Sequence, residues 1–146
     1  MEKKREILEE QIKQALTSTF KVISNHVEDK NSKNKDLKIK TLDFSEIKDL
    51  KSKNDYIRLR ANTDSKALKI RFSDHGIFIK NQPKNPALNK IYELSEKIRC
   101  EMLGSKMLNG IKKNLENNYY QKIDNKKYKD VNAKKDINVL DAFELY

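Results

Sequence analysis

Apolar residues recur every three or four positions over most of the chain, which is the spacing of amphipathic helices. We therefore predict a mainly α fold of about five helices. The first helix runs from about Glu2 to His26, and one face of it carries leucine, isoleucine and phenylalanine side chains. The later helices are predicted to begin after Asn62 or Thr63, at Pro86, at Ser105 and at Asp136.

A period of two replaces the helical spacing in two short segments between the first two helices. Leu37 and Ile39 alternate with lysines, and the run Tyr56–Arg60 has the same alternation. This pattern predicts a small two-stranded β element between helices one and two. The segment between the two runs, Phe44–Asp55, is equally compatible with a short helical turn.

A Gly-Ser pair interrupts the apolar pattern in the second half of the chain. Glycine readily adopts the left-handed conformation that follows many helices, and serine is a good N-cap. We therefore predict that Gly104 ends the third helix and that Ser105 opens the fourth. Two polar segments with little apolar area to bury, Glu28–Asp36 and Asp124–Lys135, are predicted loops.

The length of 146 residues fits one domain spanning the whole chain. The amino terminus lacks the apolar run of a signal peptide, and the single cysteine, Cys100, cannot form an internal disulfide, so we expect a cytoplasmic protein. The net charge of +10 permits binding to polyanions. However, only five of the 32 basic residues are Arg and the lysines are spread over the chain, so a solvated surface is the preferred interpretation.

Two blocks of residues resemble the amino-terminal helical region of the T subunit of the aerobic cobaltochelatase. The first block holds Arg60, Asp64, Ala67, Leu68 and Arg71, although Ala61 and Ser73 stand where that family has glycine and histidine. The second block is denser and is matched by Tyr92, Glu96, Arg99, Glu101, Gly104, Ser105, Met107, Gly110, Asn114 and Leu115.

The resemblance implies a subunit of an ATP-dependent enzyme that inserts cobalt into hydrogenobyrinic acid a,c-diamide during cobalamin biosynthesis. The implied partners are an AAA+ ATPase S subunit and a large corrin-binding N subunit, assembled as an oligomeric ring that uses ATP, magnesium and cobalt. The family's carboxy-terminal von Willebrand A domain has no counterpart in this sequence, so we expect an amino-terminal part that is not catalytic by itself.

The charged residues of the two blocks are the candidate contacts with partner subunits, namely Arg60, Asp64, Arg71, Glu96 and Arg99. Glu96, Arg99 and Glu101 could form a polar docking seam, but Glu96 and Arg99 are also spaced for an ordinary ion pair on a helix surface. We expect Gly104, Ser105, Gly110 and Asn114 to be a structural motif.

Other kinds of site have less support in the sequence. His26, His75 and Cys100 do not have a metal-ligand spacing, and no glycine-rich phosphate loop is present, so we expect no catalytic residue, metal ligand or cofactor in this chain. Two alternatives stay open, which are a cochaperone of an AAA+ ATPase outside cobalamin synthesis and a small basic nucleic-acid-binding protein. No nucleic-acid-binding motif supports the second, and we do not expect a membrane partner.

Overall fold

The computed structural model describes residues 2–24, 47, 50, 52–125 and 138–145. Within these ranges the chain forms six helices, and α2 is central because it packs against α1, α4 and α5. The short last helix, α6, lies against α4. The helices are α1 (Glu2–Ile23), α2 (Lys53–Phe72), α3 (His75–Lys80), α4 (Pro86–Met107), α5 (Asn109–Asn125) and α6 (Val139–Leu145).

Side-chain caps fix the starts of three helices. Ser52 and Asp55 form a capping box at the start of α2, in which each side chain accepts a hydrogen bond from the other residue's backbone N–H. At α3 the Asp74 side chain accepts a hydrogen bond from the backbone N–H of Ile77, and at α4 the Asn85 side chain accepts from those of Ala87 and Leu88, without a reciprocal bond. The predicted start of a helix at Pro86 is confirmed, since this proline occupies the first turn of α4.

The predicted β element is wrong for the part of the chain that the structure describes, where no strand occurs. The run Tyr56–Arg60 lies within α2, which begins at Lys53 and not after Asn62 or Thr63. The capping box explains the difference, because it starts a helix ahead of the run that alternates with a period of two. Leu37, Ile39, His26 and Asp136 lie outside the described residues.

The main core lies where α1, α2, α4 and α5 meet. Its buried side chains come from all four helices and are Phe20, Ile23, Ala61, Ala67, Leu68, Cys100, Ile111 and Leu115. Leu16, Leu59 and Ile47 form a second, smaller cluster. Burying a leucine or phenylalanine side chain stabilises the fold by about 1.5–3 kcal/mol, so these contacts hold α2 in the centre of the four helices.

Gly104 lies inside α4 and not at its end, because the helix continues to Met107 and is followed by Leu108 in an extended conformation. The prediction that Gly104 and Ser105 separate two helices is therefore wrong. A Cβ atom on Gly104 would overlap Cδ2 of the buried Leu68 and would lie 2.6 Å from Cδ1. The glycine therefore permits close contact between α4 and α2, and no left-handed backbone conformation is involved.

No helix in the described ranges is long and apolar enough to cross a membrane.

Candidate functional site

A buried carboxylate joins three helices at the centre of the molecule. The Asp64 side chain on α2 is fully buried, and its Oδ2 atom accepts a hydrogen bond of 2.8 Å from Asn114 Nδ2 on α5. The Nε atom of Arg60, one turn earlier on α2, lies 3.2 Å from Asp64 Oδ1. Arg60 also donates from Nη1 to Thr19 Oγ1 on α1 at 3.1 Å. These four residues form what we call the Asp64 network.

Burial and the neighbouring donors have opposite effects on the pKa of Asp64. Burial raises the pKa of Asp64, whereas the hydrogen bond from Asn114 and the charge of Arg60 act to lower this pKa, and the net shift is upward. Asp64 Oδ1 has no hydrogen-bond partner among the described residues, despite its proximity to the guanidinium. The Arg60–Asp64 ion pair lies within α2, and the contacts to other helices are the hydrogen bonds with Asn114 on α5 and Thr19 on α1.

Two arginines hold the carboxyl ends of α1 and α2. Arg71 Nη1 donates to the carbonyl oxygen of Ile23 at 3.1 Å, and Arg99 Nη2 donates to that of Phe72 at 2.7 Å. Both carbonyl groups lie at helix ends, where backbone acceptors lack partners within the helix and a positive charge is favourable. The arginines thereby connect α1 with α2, and α2 with α4.

The Arg99 guanidinium also forms a bidentate ion pair with Glu96. Its Nε and Nη2 atoms donate to Glu96 Oε2 and Oε1 at 2.7 and 2.8 Å. The hydrogen bonds from Arg99 lower the pKa of Glu96 to about 2, and a hydrogen bond with Ser73 contributes in the same direction. Glu96 is therefore ionised at every pH at which the protein is expected to function.

A groove with a volume of about 530 Å³ lies between α4, α5 and α6. Ile98, Met102 and Leu115 provide its apolar surface. At one side the Tyr119 hydroxyl donates to Glu101 Oε2 at 2.6 Å. Burial is the larger cause and this hydrogen bond the smaller cause of a raised pKa of Tyr119. We call this groove the α4–α6 groove.

Glu144 attaches α6 to the side of the α4–α6 groove. Its Oε1 atom accepts hydrogen bonds from Lys97 on α4 and, at 2.8 Å, from Lys122 on α5. Burial acts to raise the pKa of Glu144, but the hydrogen bonds from the two lysines outweigh it and the pKa lies below its ordinary value. The carboxylate is thus a charged link between three helices.

Two features of the described residues bear on possible chemistry. No three His, Cys, Asp or Glu side chains among them are grouped as metal ligands would be. The Cys100 thiol is fully buried, and burial raises its pKa to about 11, so it is not a reactive thiolate. Several charged groups link one helix to another, as Arg71, Arg99 and Glu144 do.

The chain matches the model of a known protein family. The model of the family described as "Cobalamin biosynthesis protein CobT" matches residues 8–146, which is nearly the whole sequence. The chain belongs to the CobT family. The resemblance seen in the two sequence blocks is thereby confirmed and extends well beyond them. No curated protein and no solved structure matches this chain.

The five candidate partner contacts all have roles within this CobT-family chain. Arg60 and Asp64 belong to the Asp64 network, Arg71 and Arg99 bind the ends of α1 and α2, and Glu96 pairs with Arg99. Asp64 is inaccessible from outside, whereas 48% of the Arg99 side chain is exposed. Contact between these residues and another subunit stays a prediction, and Arg99 is the one best placed for it.

The four residues predicted as a structural motif lie in different surroundings. Gly104 packs on Leu68, Asn114 binds Asp64, and Ser105 borders the α4–α6 groove. Gly110 is exposed, and a Cβ atom there would meet nothing within 4 Å. The close approach of two helices therefore explains Gly104 and gives no reason for glycine at position 110.

Four residues with contacts between helices are not among the candidates predicted from the sequence, namely Lys97, Tyr119, Lys122 and Glu144. Their contacts join residues on different helices, such as Glu101 with Tyr119 and Lys97 with Glu144. No local spacing marks such pairs in a single sequence. The only available signal was that Glu101 and Tyr119 each fall on the side of a helix that carries apolar residues.

Proposed function

We propose that this domain is a noncatalytic assembly and coupling platform of an ATP-dependent cobaltochelatase, the enzyme that inserts cobalt into hydrogenobyrinic acid a,c-diamide. The observation that carries the proposal is the match of the CobT family model over residues 8–146. The proposed partners are the AAA+ ATPase S subunit and the large corrin-binding N subunit, in a ring-shaped oligomer. Cobalt is the substrate of this reaction and is held elsewhere in the complex.

The geometry supports a platform because the helices are tied to one another by charged links. The Asp64 network joins α1, α2 and α5; Arg99 joins α4 to the end of α2; and Glu144 joins α6 to α4 and α5. A body cross-linked in this way moves as a unit when force is applied at one face. Such rigidity suits the transmission of a nucleotide-driven movement from one subunit to another.

The sequence offers ATP no glycine-rich phosphate loop. The sequence has only three glycines, Gly76, Gly104 and Gly110, and they do not form the glycine-rich loop whose backbone N–H groups hold phosphates. Gly104 is packed against Leu68 inside α4 and is unavailable for such contacts. We therefore assign nucleotide binding to the S subunit.

Deletion of the gene for this chain in its host tests the proposed reaction. We expect the deletion strain to accumulate hydrogenobyrinic acid a,c-diamide without cobalt, as measured by mass spectrometry of extracted corrins. A plasmid carrying the intact gene should restore the cobalt-containing corrin. Unchanged amounts of cobalt-containing corrin in the deletion strain would contradict the proposal.

A further inference from the structure

A second groove, of about 470 Å³, lies between α2 and α4 and reaches α6 at one end. Four lysines line it, with Lys66 and Lys69 on α2 and Lys90 and Lys97 on α4. Glu93 is the single acidic residue in its lining. We call it the lysine groove. The lining residues of α2 fall between Asn62 and Lys69, and those of α4 between Lys90 and Lys97. Within each helix they are spaced by three, four and seven residues, so they share one face of the helix along the groove.

The positive charge of the lysine groove is only partly neutralised by the described residues. Lys97 is paired with Glu144, and the Lys69 ammonium lies 5.1 Å from the centre of the Phe78 ring. Lys66 and Lys90 are exposed and have no ion-pair partner among the described residues. A cleft lined by one sign of charge concentrates its electric field and attracts ligands of the opposite sign.

The remaining lining distinguishes between classes of anionic ligand. None of the described residues that line the lysine groove is aromatic, so they offer the bases of a nucleic acid no surface on which to stack. Lysines act as point charges that pair with carboxylates and phosphates alike, so the distinction comes from the uncharged part of the lining. Leu94 on α4 and Leu140 on α6 are half-buried in the lining and offer an apolar contact between the charges.

We propose that the lysine groove binds an acidic peptide segment of a partner subunit, with a bulky apolar residue of that segment against Leu94 and Leu140. The carboxylates on either side of the apolar residue would pair with Lys66, Lys69 and Lys90. This inference rests on the proposed platform function and adds the location and the chemistry of one docking surface.

Fluorescence anisotropy with labelled peptides tests the inference. The probe is a short peptide of alternating aspartate and glutamate with one central leucine, and a second peptide has serine in place of the leucine. The variant Lys66→Glu/Lys90→Glu reverses two charges in the groove, and Lys66→Gln/Lys90→Gln removes them. The matched control, Lys4→Glu/Lys113→Glu, makes the same change in net charge at two exposed lysines outside the groove. Circular dichroism checks that every variant is folded.

We expect the leucine peptide to bind the unaltered protein, and to bind the Lys66→Glu/Lys90→Glu variant at least about tenfold more weakly. The glutamine variant should show a smaller loss, and the control should stay within about twofold of the unaltered protein, since distant exposed charges are screened by salt. The serine peptide should bind several-fold more weakly than the leucine peptide.

Three results would overturn the inference, namely no peptide binding, an equal loss in the control variant, or tighter binding of a single-stranded RNA of equal charge that the groove variants abolish. Association with the ATPase subunit is measured separately. If the chain binds that subunit and the groove variants bind it equally well, the platform function stands and the lysine groove is not its docking surface.

Discussion

The substitution Gly104→Ala tests how closely α2 and α4 approach each other. The added Cβ atom would overlap Leu68 Cδ2 and approach Cδ1 to 2.6 Å, which is well inside van der Waals contact. Leu68 is only 1% exposed and belongs to the main core, so any movement of its side chain disturbs the residues packed around it. The two helices or the leucine rotamer must therefore shift.

The size of the effect follows from two opposing contributions. Overpacking a core by one methyl group costs about 1–3 kcal/mol. Replacing glycine by alanine inside a helix returns up to about 1 kcal/mol, because alanine has the higher helix propensity. With a gain of about 1 kcal/mol subtracted, the free energy of unfolding should fall by up to about 2 kcal/mol, and the midpoint of urea denaturation by up to about 1 M.

The chain offers a matched control at Gly110, where a Cβ atom would meet nothing within 4 Å. Gly110→Ala should leave the protein unchanged or stabilise it by about 0.5 kcal/mol. Urea denaturation followed by circular dichroism compares both variants with the unaltered protein. If Gly104→Ala is as stable as Gly110→Ala, the close approach of α2 and α4 at this position is wrong.

A double-mutant cycle assigns the effect to the contact with Leu68. Leu68→Ala alone should cost about 2–5 kcal/mol, since it leaves a cavity in the core. In the Gly104→Ala background the same truncation should cost about 1–2 kcal/mol less, because it removes the overlapping atoms. Purely additive costs would show that the damage in Gly104→Ala comes from another contact.

Three further predictions concern the charged and polar links. Asn114→Ala should destabilise the protein by about 1–3 kcal/mol in urea denaturation, since it leaves the buried Asp64 carboxylate with one fewer hydrogen-bond donor. The control Asn117→Ala, on the exposed side of α5, should change stability by less than about 0.5 kcal/mol. Equal effects of the two substitutions would contradict this role of Asn114. Tyr119→Phe should cost about 1 kcal/mol through loss of the hydrogen bond to Glu101, and the same change at the exposed Tyr120 should cost nothing measurable. Because the folded-state pKa of Glu96 is about 2 and lies below its ordinary value of 4.5, its contribution to stability is present above pH 4.5 and is lost as the pH falls towards 2. The melting temperature of Glu96→Gln should therefore depend less on pH over this interval than that of the unaltered protein. Parallel curves for the two proteins would refute the low pKa of Glu96.

The helices α1, α4 and α5 could be predicted from the sequence because their apolar residues recur at helical spacing, which is much weaker in α2. The start of α4 at Pro86 was also predictable, since proline and the preceding Asn85 are both typical of helix starts. The start of α2 was missed although the sequence carries its signal. Ser52 and Asp55 have the spacing of a capping box, but the alternating run that follows them is typical of a strand.

The candidate site was predictable only in part, because its contacts connect distant residues. Arg60 and Asp64 are four residues apart and were recognised together, but their partner Asn114 lies fifty residues further along the chain. Gly104 was recognised as important for the wrong reason. The sequence does not distinguish a glycine that allows close helix packing from a glycine that ends its own helix. The position of Leu68 against Gly104 shows that the first case applies.

The most direct test of the platform function is co-elution of the purified chain with the AAA+ ATPase S subunit in size-exclusion chromatography, with and without ATP. The account predicts that the two proteins elute as one complex in at least one nucleotide state, with Gly110→Ala binding as the unaltered chain does. Separate elution in both nucleotide states, with both proteins folded, would contradict the proposal that this domain is the platform on which the ATPase assembles.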